Sequence, residues 1–222
     1  MQPYLFPYIG YYQLANISDI FVFYDDVNYI KNGYINRNYI LISGQRKLFT
    51  VPTINASSFK KINEVGFSVN KKLVRMIEQS YSKARYFSKI MPLVENVLSY
   101  KCATISELSM KSVVDVFDYL DLEFKYCRSK DLGGSSYNRV DRLVYLCKSL
   151  SCDQYYNSIG GIELYSKDDF LNHGIELNFL KSDEISYDQS SASFMPNLSM
   201  IDVLMNNSKS QVISLLNKYT IL

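Results

Sequence analysis

Polar side chains able to take part in chemistry are most dense just after a short apolar stretch near the amino terminus. The acidic pair Asp25-Asp26 ends that stretch, and Lys31 and the run Asn36-Arg37-Asn38 follow it. Carboxylates can take a proton from an amine, and arginine and asparagine form hydrogen bonds with carboxylates, phosphates and sugar hydroxyls. A loop that only connects two secondary-structure elements does not need so many polar side chains. Their density therefore indicates a functional loop.

A second candidate is the segment from Gln2 to Tyr11, which is rich in proline and tyrosine. Pro3, Pro7 and Gly10 stand there among aromatic residues. Because proline restricts the backbone, we expect a rigid loop that holds the tyrosine rings in fixed positions. Such rings can line a pocket or pack in the core, and the residue types alone leave both readings open.

Other chemistry-bearing residues have structural explanations. His173 precedes Gly174 at a predicted helix end, where an imidazolium would complement the helix dipole. The loop Gly133-Gly134-Ser135-Ser136 could cradle a phosphate, but no Walker loop, nucleophile elbow or dinucleotide-binding fingerprint is present. Four scattered cysteines lack a Cys-x-x-Cys motif, so we expect neither a metal site nor a disulfide framework. They are Cys102, Cys127, Cys147 and Cys152.

Composition places the chain among ordinary globular proteins. Of its 222 residues, 47% are apolar and 21% are charged, which excludes disorder and coiled coil. No apolar run approaches the roughly 20 residues that a bilayer requires. We therefore expect a cytoplasmic protein without membrane insertion, formed by one large domain rather than two full-sized ones.

Charge is unevenly distributed along the chain. Residues 31–90 hold twelve Lys or Arg against two Glu, whereas residues 1–30 hold three acids and no Lys or Arg. A basic region attracts phosphate, either in a nucleic acid such as tRNA or in a nucleotide diphosphate. It can also be a solvated helix face that acids elsewhere balance.

The order of predicted elements favours an α/β fold. Residues 19–24 read as a buried strand, and residues 39–42 and 48–51 flank Ser43-Gly44 as a hairpin. Apolar residues fall at helical spacing from 69 to 87, and a further helix is expected after Met91 with Pro92 in its first turn. Capping signals begin helices at Thr104, Ser166, Ser199 and Ser208.

Helix and strand alternate in the carboxyl-terminal half, with strands expected at 123–127, 154–157 and 175–180 and a helix at 139–150. This alternation predicts a mostly parallel sheet covered by helices, with the small hairpin and helical additions. Ligands should then lie beyond the carboxyl ends of the strands. The loops expected there are 25–38, 129–138 and 157–165.

Several long motifs resemble the WbqC-like family, and they run in order from one end of the chain to the other. They are Gln2-Pro-Tyr-Leu-Phe-Pro-Tyr-Ile-Gly-Tyr11, Tyr24-Asp-Asp-Val-Asn-Tyr-Ile-Lys31, Asn36-Arg-Asn38, Gln79-Ser-Tyr81, Tyr187-x-Gln189, Phe194-Met-Pro-Asn-Leu-Ser-Met-Ile-Asp202 and Leu204-Met-Asn206. The resemblance implies a bacterial protein of O-antigen, lipopolysaccharide or related surface polysaccharide biosynthesis. The role it implies is transfer of glycine, or another acyl group, to an amino sugar.

The resemblance also carries expectations about the fold. We expect one WbqC-like domain over residues 1–222, with a basic hairpin and helical insertion at about 39–120. The layout of the first elements is similar to nucleotidylyltransferase-like folds, although Tyr8-Ile-Gly-Tyr11 stands where those enzymes use two histidines. Family members usually carry a few apolar residues before the Met-Gln-Pro motif. Such residues look like a first strand, which this sequence, beginning at Met1, would lack unless its start is assigned too late.

The leading hypothesis is an amide-forming transferase acting on a dTDP-linked 4-amino-4,6-dideoxyhexose, with all candidate residues around a single cavity. Asp25 or Asp26 would be the general base. The acyl donor could be an aminoacyl-tRNA bound at the basic region, a coenzyme A thioester, or an amino acid with ATP. The alternatives are a non-catalytic module that binds nucleotide sugar or RNA, and an ATP-using amide ligase. The expected substrate-binding residues are Gln2, Tyr4, Tyr8, Tyr11, Lys31, Asn36, Arg37, Asn38, Gln189 and Asp202.

Overall fold

The structure, a computed structural model, describes residues 1–189, 191 and 193–222 of a mixed α/β protein. Its helices are α1 Ile9–Ile17, α2 Lys71–Tyr81, α3 Phe87–Leu98, α4 Ile105–Leu120, α5 Ser129–Leu132, α6 Arg139–Ser149, α7 Lys167–Leu171, α8 Met200–Asn206 and α9 Lys209–Leu216. Its strands are β1 Phe21–Phe23, β2 Arg37–Ile42, β3 Gln45–Thr50, β4 Thr53–Ile54, β5 Gly66–Phe67, β6 Tyr126–Arg128, β7 Gln154–Ser158, β8 Glu176–Ser182 and β9 Tyr219–Ile221.

The strands form several small sheets rather than the mostly parallel sheet that the sequence predicts. Strands β1 and β6 form a parallel pair, and β7, β8 and β9 form a sheet in which β7 and β8 are parallel and β9 is antiparallel to β8. Strands β2 with β3 and β4 with β5 are antiparallel pairs. Because the sheet that contains β1 has two strands, the nucleotidylyltransferase-like layout is not confirmed.

Local signals in the sequence predicted several element boundaries correctly. Ser43 and Gly44 have positive φ angles of 50° and 73° and form the turn of the β2–β3 hairpin. The Thr104 side chain accepts a hydrogen bond from the Glu107 N–H in a capping box at the start of α4. Ser208 forms the same kind of capping box with Gln211 at the start of α9, and the Ser199 side chain accepts a hydrogen bond from the Ile201 N–H at the start of α8. Capping is local chemistry, which explains why four to five residues of sequence suffice to predict it.

The region between Val69 and Leu98 differs from its prediction. The helix expected up to Phe87 ends at Tyr81, and the next helix begins at Phe87, so Pro92 lies inside α3 rather than in its first turn. Ile90, Met91 and Val94 are buried on this helix. Local propensity favours proline in the first turn of a helix. Here the burial of these three side chains stabilises a helix that continues through Pro92.

Two groups of buried apolar residues hold the elements together. The larger joins α1, β1, the hairpin and helices α2, α3, α4, α8 and α9, whereas the smaller lies between α6, α7 and β8. The segment 39–120 contributes heavily to the larger group through residues such as Phe49, Ile77 and Phe117. Its description as an insertion into a single domain of residues 1–222 stays a prediction.

Candidate functional site

Two carboxylates and two guanidinium groups meet at the carboxyl ends of β1 and β6. Strand β1 ends at Phe23 and leads into Asp25-Asp26, and β6 ends at Arg128. Because the two strands are parallel neighbours, these ends lie at the same edge of the sheet. Helix α6 brings Arg142 to the same place. We call this group the acid–arginine site, and its residues are Asp25, Asp26, Arg128, Ser129 and Arg142.

Asp25 is fully buried and is paired with Arg128. The Arg128 Nε and Nη2 atoms lie 2.8 and 2.7 Å from the same carboxylate oxygen, Oδ2. The other oxygen lies 3.4 Å from both Ser129 Oγ and the Lys130 N–H nitrogen. This buried carboxylate, with charged and neutral donors around it, holds the ends of β1 and β6 together.

Asp26 is also buried, and it is paired with Arg142. Its carboxylate accepts hydrogen bonds from Arg142 Nη2 and from the Ser129 hydroxyl. Burial by itself would raise the pKa of Asp26, but these two hydrogen bonds and the Arg142 charge hold that pKa below its usual value. Asp26 is therefore an ionised carboxylate at neutral pH.

Arg142 has unused hydrogen-bonding capacity. The residue is 4% exposed, yet its Nε atom has no hydrogen-bond partner among the described residues. The guanidinium carbon lies 5.0 Å from the centroid of the Tyr24 ring, and Nη2 is 3.5 Å from the Gly133 carbonyl oxygen. An unpaired buried N–H is costly, and a bound acceptor such as a phosphate oxygen would satisfy it.

The double-glycine loop supplies one wall of this site. Gly134 has a φ of 74°, and a Cβ atom there would stand 2.4 Å from the Tyr145 ring. The Tyr145 hydroxyl donates a hydrogen bond to the Leu132 carbonyl at 3.1 Å. Glycine is therefore required at position 134 so that the loop can pack on α6 beside Arg142.

A second group of buried polar residues surrounds Asp202 on α8. Tyr81 and Tyr187 donate their hydroxyls to the two carboxylate oxygens at 2.7 and 2.8 Å, and Gln189 Nε2 donates at 3.0 Å. Tyr81 also accepts from the Leu41 N–H at 3.1 Å. Burial raises the pKa of Asp202 more than these neutral donors lower it. We call this group the Asp202 network, and it joins α2, α8 and the hairpin to the 187–189 segment.

A cavity of about 300 Å³ adjoins the Asp202 network. Tyr187 and Asn206 line it, together with Arg85 and Gln211. Asn206 Nδ2 donates to the Asp202 carbonyl at 2.9 Å, so this side chain links the cavity wall to α8. The Asp202 carboxylate itself is fully buried behind these residues.

The hairpin residues mainly position the chain around the opening loop. Asn38 Nδ2 and Ser199 Oγ both donate to the Phe6 carbonyl, at 2.8 and 2.7 Å. Asn36 accepts the Tyr29 hydroxyl and donates to the Val51 carbonyl. Arg37 donates to the Gly33 and Asn32 carbonyls and closes a turn that leaves Lys31 exposed.

The tyrosines of the opening loop have different surroundings. Tyr11 is fully buried, and its hydroxyl donates to the Gln2 carbonyl at 3.0 Å. Tyr8 is half-buried and covers Gly10, where a Cβ atom would stand 2.5 Å from the ring. Tyr4 and Gln2 line a cleft of about 690 Å³ between β1 and β7. Phe6, in the same loop, has a φ of 40°.

The candidate residues therefore lie in several places, and in the described part of the chain they do not share the single cavity that we expected. Asp25 and Asp26 belong to the acid–arginine site, Gln189 and Asp202 to the Asp202 network, and Gln2 and Tyr4 to the cleft. Tyr8, Tyr11, Lys31, Asn36, Arg37 and Asn38 lie around the opening loop and the hairpin. Whether any of them binds substrate stays a prediction.

Sequence reasoning missed Arg128, Arg142, Tyr81 and Tyr187 as site residues. The signal for the two arginines was weak, since each is one cation among many and its partner is more than 100 residues away. The two tyrosines lie in motifs that resemble the family, Gln79-Ser-Tyr81 and Tyr187-x-Gln189. These motifs were a signal from which both tyrosines could have been predicted as site residues.

Comparison with known proteins defines the class of this protein. The profile of the WbqC-like protein family matches residues 2–214, and the chain belongs to this family. It is also 26% identical over 206 residues to the uncharacterized protein Rv1507c of Mycobacterium tuberculosis, a match that covers 90% of this chain and 89% of that protein. No solved structure matches the chain.

Two general features of the described residues bear on partners. None of the helices there has the length and apolar character needed to cross a bilayer. No group of three His, Cys, Asp or Glu side chains within this described part is arranged to hold a metal ion. The acid–arginine site holds one buried guanidinium N–H, that of Arg142 Nε, for which the described residues provide no acceptor.

Proposed function

We propose that this protein forms an amide on a nucleotide-linked amino sugar in bacterial O-antigen or surface polysaccharide biosynthesis. The substrate would be a dTDP-4-amino-4,6-dideoxyhexose, and the transferred group glycyl or another small acyl group. Membership of the WbqC-like family supports this role. The structural observation that carries it is Arg142, buried at the carboxyl edge of β1 and β6 with an unpartnered Nε.

The diphosphate of the substrate would bind to the two guanidinium groups of the acid–arginine site. Arg142 Nε would donate to a phosphate oxygen, and Arg128, whose side chain is 17% exposed, would offer a second cation. The Tyr24 ring beside Arg142 would give a flat face for the base or sugar. Arginine suits this role because its planar fork matches phosphate geometry.

Asp26 would be the general base of the reaction. It is ionised at neutral pH, and a phosphate that engages Arg142 would weaken the charge pair that holds its pKa down. The amino group of the sugar attacks the carbonyl carbon of the acyl donor, Asp26 accepts the proton, and the donor's leaving group departs with the bonding electrons. Asp25 keeps Arg128 and Ser129 in position.

Product formation tests this proposal directly. Purified protein is incubated with the dTDP-amino sugar and one acyl donor at a time. The donors are an aminoacyl-tRNA, a coenzyme A thioester, and an amino acid with ATP. Mass spectrometry then measures the mass of the nucleotide sugar. An added acyl mass with one donor supports the proposal. Binding of the nucleotide sugar with no product from any of the three donors overturns the catalytic part of it.

A thermal-shift series tests the binding part. A ligand at one hundred times its dissociation constant adds about 2.7 kcal/mol to stability. We expect dTDP to stabilise the wild-type protein and the Arg139→Ala variant, which changes an exposed arginine of the same helix. Arg142→Lys keeps a charge beside Asp26 but loses the Nε donor, so its shift should be smaller. Equal shifts in all three proteins would contradict binding at Arg142.

One observation favours the alternative of a non-catalytic binding module. Each of the two acids already has its own arginine, as expected for a purely structural or ligand-binding arrangement. In that role the protein would bind a nucleotide sugar or RNA. For RNA, removing the exposed Lys72 and Arg75 of α2 together with the exposed Lys83 just after this helix would weaken binding and reduce its salt dependence.

A further inference from the structure

Phe59 is the most exposed large apolar residue among those the structure describes, at 92% exposure. It lies in a tight turn in which the Lys60 N–H donates to the Ser57 carbonyl at 3.1 Å. The Phe59 N–H also donates to the Ser57 hydroxyl at 3.2 Å, so two hydrogen bonds hold the backbone that carries the ring. Single exposed apolar residues are common on protein surfaces, and the surroundings of Phe59 decide whether it marks a contact.

A second exposed apolar residue, Ile30, lies at the same end of a short antiparallel pairing. In this pairing the Tyr29 N–H donates to the Lys60 carbonyl at 2.8 Å. The residue after Tyr29 and the residue before Lys60 therefore lie at the same end of the two paired segments. These residues are Ile30, which is 51% exposed, and Phe59. We call Ile30 and Phe59 the apolar tip.

Lysines adjoin both residues of the apolar tip. Lys31 directly follows the first of them, and Lys60 and Lys61 follow the second. Residues 27–63 contain six Lys or Arg and no Asp or Glu, and none of the six forms an ion pair with a described residue. The next acid, Glu64, accepts the Lys61 backbone N–H at 2.9 Å, so its charge offsets part of this excess. The segment around the tip remains strongly positive.

This combination fits an anionic lipid surface better than a nucleic acid. Apolar side chains can enter the headgroup region of a bilayer while neighbouring lysines reach the lipid phosphates. A single-stranded nucleic acid would need flat rings for its bases, and the aliphatic Ile30 cannot provide one. A residue that is 92% exposed also projects from the surface instead of lining a groove that could enclose a strand.

We propose that the apolar tip and its lysines form a peripheral contact with a membrane that contains anionic lipids. Phe59 and Ile30 enter the headgroup region, and Lys31, Lys60 and Lys61 lie against the lipid phosphates. The contact is reversible, because two apolar side chains and three charges give only weak binding. It concerns where the protein works and does not depend on the reaction proposed for the acid–arginine site.

Tryptophan fluorescence tests this contact directly, because the chain contains no tryptophan. Phe59→Trp places a single indole at the tip, and Leu171→Trp is the matched control at a residue of α7 that is 66% exposed. Both proteins are titrated with vesicles of phosphatidylcholine alone or of phosphatidylcholine and phosphatidylglycerol in equal parts. We expect a shift to shorter wavelength for Phe59→Trp with the phosphatidylglycerol vesicles only. The emission of Leu171→Trp should not change.

Vesicle flotation measures the contributions of the two kinds of side chain. Phe59→Ser should weaken binding to the phosphatidylglycerol vesicles about tenfold, since it removes an apolar ring from the lipid. Lys60→Gln with Lys61→Gln should weaken it about tenfold or more, and added salt should weaken binding of the unchanged protein. Leu171→Ser, the matched control, should bind as the unchanged protein does.

Three results would overturn the proposal. The first is an unchanged Phe59→Trp emission with the phosphatidylglycerol vesicles. The second is equal vesicle binding by Phe59→Ser and the unchanged protein. The third is a shift of the Phe59→Trp emission with a uridine oligonucleotide but not with vesicles, which would assign the apolar tip to a nucleic acid.

Discussion

The acid–arginine site and the Asp202 network both bury carboxylates, but they stabilise them by different means. Asp26 meets a guanidinium group, and its pKa is lowered. Asp202 meets two tyrosine hydroxyls and an amide, and its pKa is raised. A guanidinium group that pairs with a carboxylate can also form hydrogen bonds with a negatively charged ligand. Neutral donors from three parts of the chain mainly hold those parts together. The first arrangement therefore suits binding and the second suits architecture.

Removing Arg142 should have the largest effect on stability. Arg142→Ala leaves Asp26 buried without its cation, and breaking one side of such a pair costs about 3–5 kcal/mol. Asp26→Asn leaves the opposite charge unpaired and should cost a similar amount. The double variant Asp26→Asn with Arg142→Ala should cost clearly less than the sum of the two single changes. Urea unfolding measures all three, and strictly additive costs would contradict a coupled pair.

Within the Asp202 network, Tyr81→Phe should be more costly than Tyr187→Phe. The Tyr81 hydroxyl has two strong partners, the Asp202 carboxylate and the Leu41 N–H, and both are left without it. We expect a loss of about 1.5–3 kcal/mol, with Arg142-dependent nucleotide binding unchanged. Chemical unfolding and the dTDP thermal shift measure the two parts. A loss of nucleotide binding in Tyr81→Phe would contradict the separate roles of the two regions.

The two carboxylates should give stability profiles of opposite sign against pH. The folded-state pKa of Asp26 is below its ordinary value of 3.8, so its contribution is present above that value and is lost as pH falls through the folded-state pKa. The folded-state pKa of Asp202 is above 3.8, so its contribution is present at low pH and is lost as pH rises through the folded-state pKa.

Unfolding free energies of the wild type, Asp26→Asn and Asp202→Asn between pH 3 and pH 7 measure this difference. The deficit of Asp26→Asn relative to the wild type should grow as pH rises, and that of Asp202→Asn should shrink. Each pKa unit corresponds to about 1.4 kcal/mol. Deficits that change in the same direction would show that the two acids are stabilised alike.

Thr104→Ala should have the smallest effect. Thr104 belongs to neither region, although Glu107 of the same capping box lies 3.8 Å from Arg128. The change removes the side-chain cap of α4, whose loss costs about 1 kcal/mol. Thr104→Ser keeps the hydroxyl and should restore most of that stability. Thermal unfolding measures both variants. A change in dTDP binding in Thr104→Ala would mean that the acid–arginine site depends on α4 more than its contacts indicate.

The sequence by itself determined what local chemistry controls. It predicted the hairpin turn at Ser43-Gly44, the caps at Thr104, Ser199 and Ser208, the acids at the end of β1 and, through its long motifs, the family. Only the tertiary structure decided which cations meet Asp25 and Asp26, which tyrosines meet Asp202, and that the strands form small sheets around an open cleft. The physical reason is range: a cap or a turn involves neighbours in sequence, whereas burial brings together side chains that lie more than 100 residues apart.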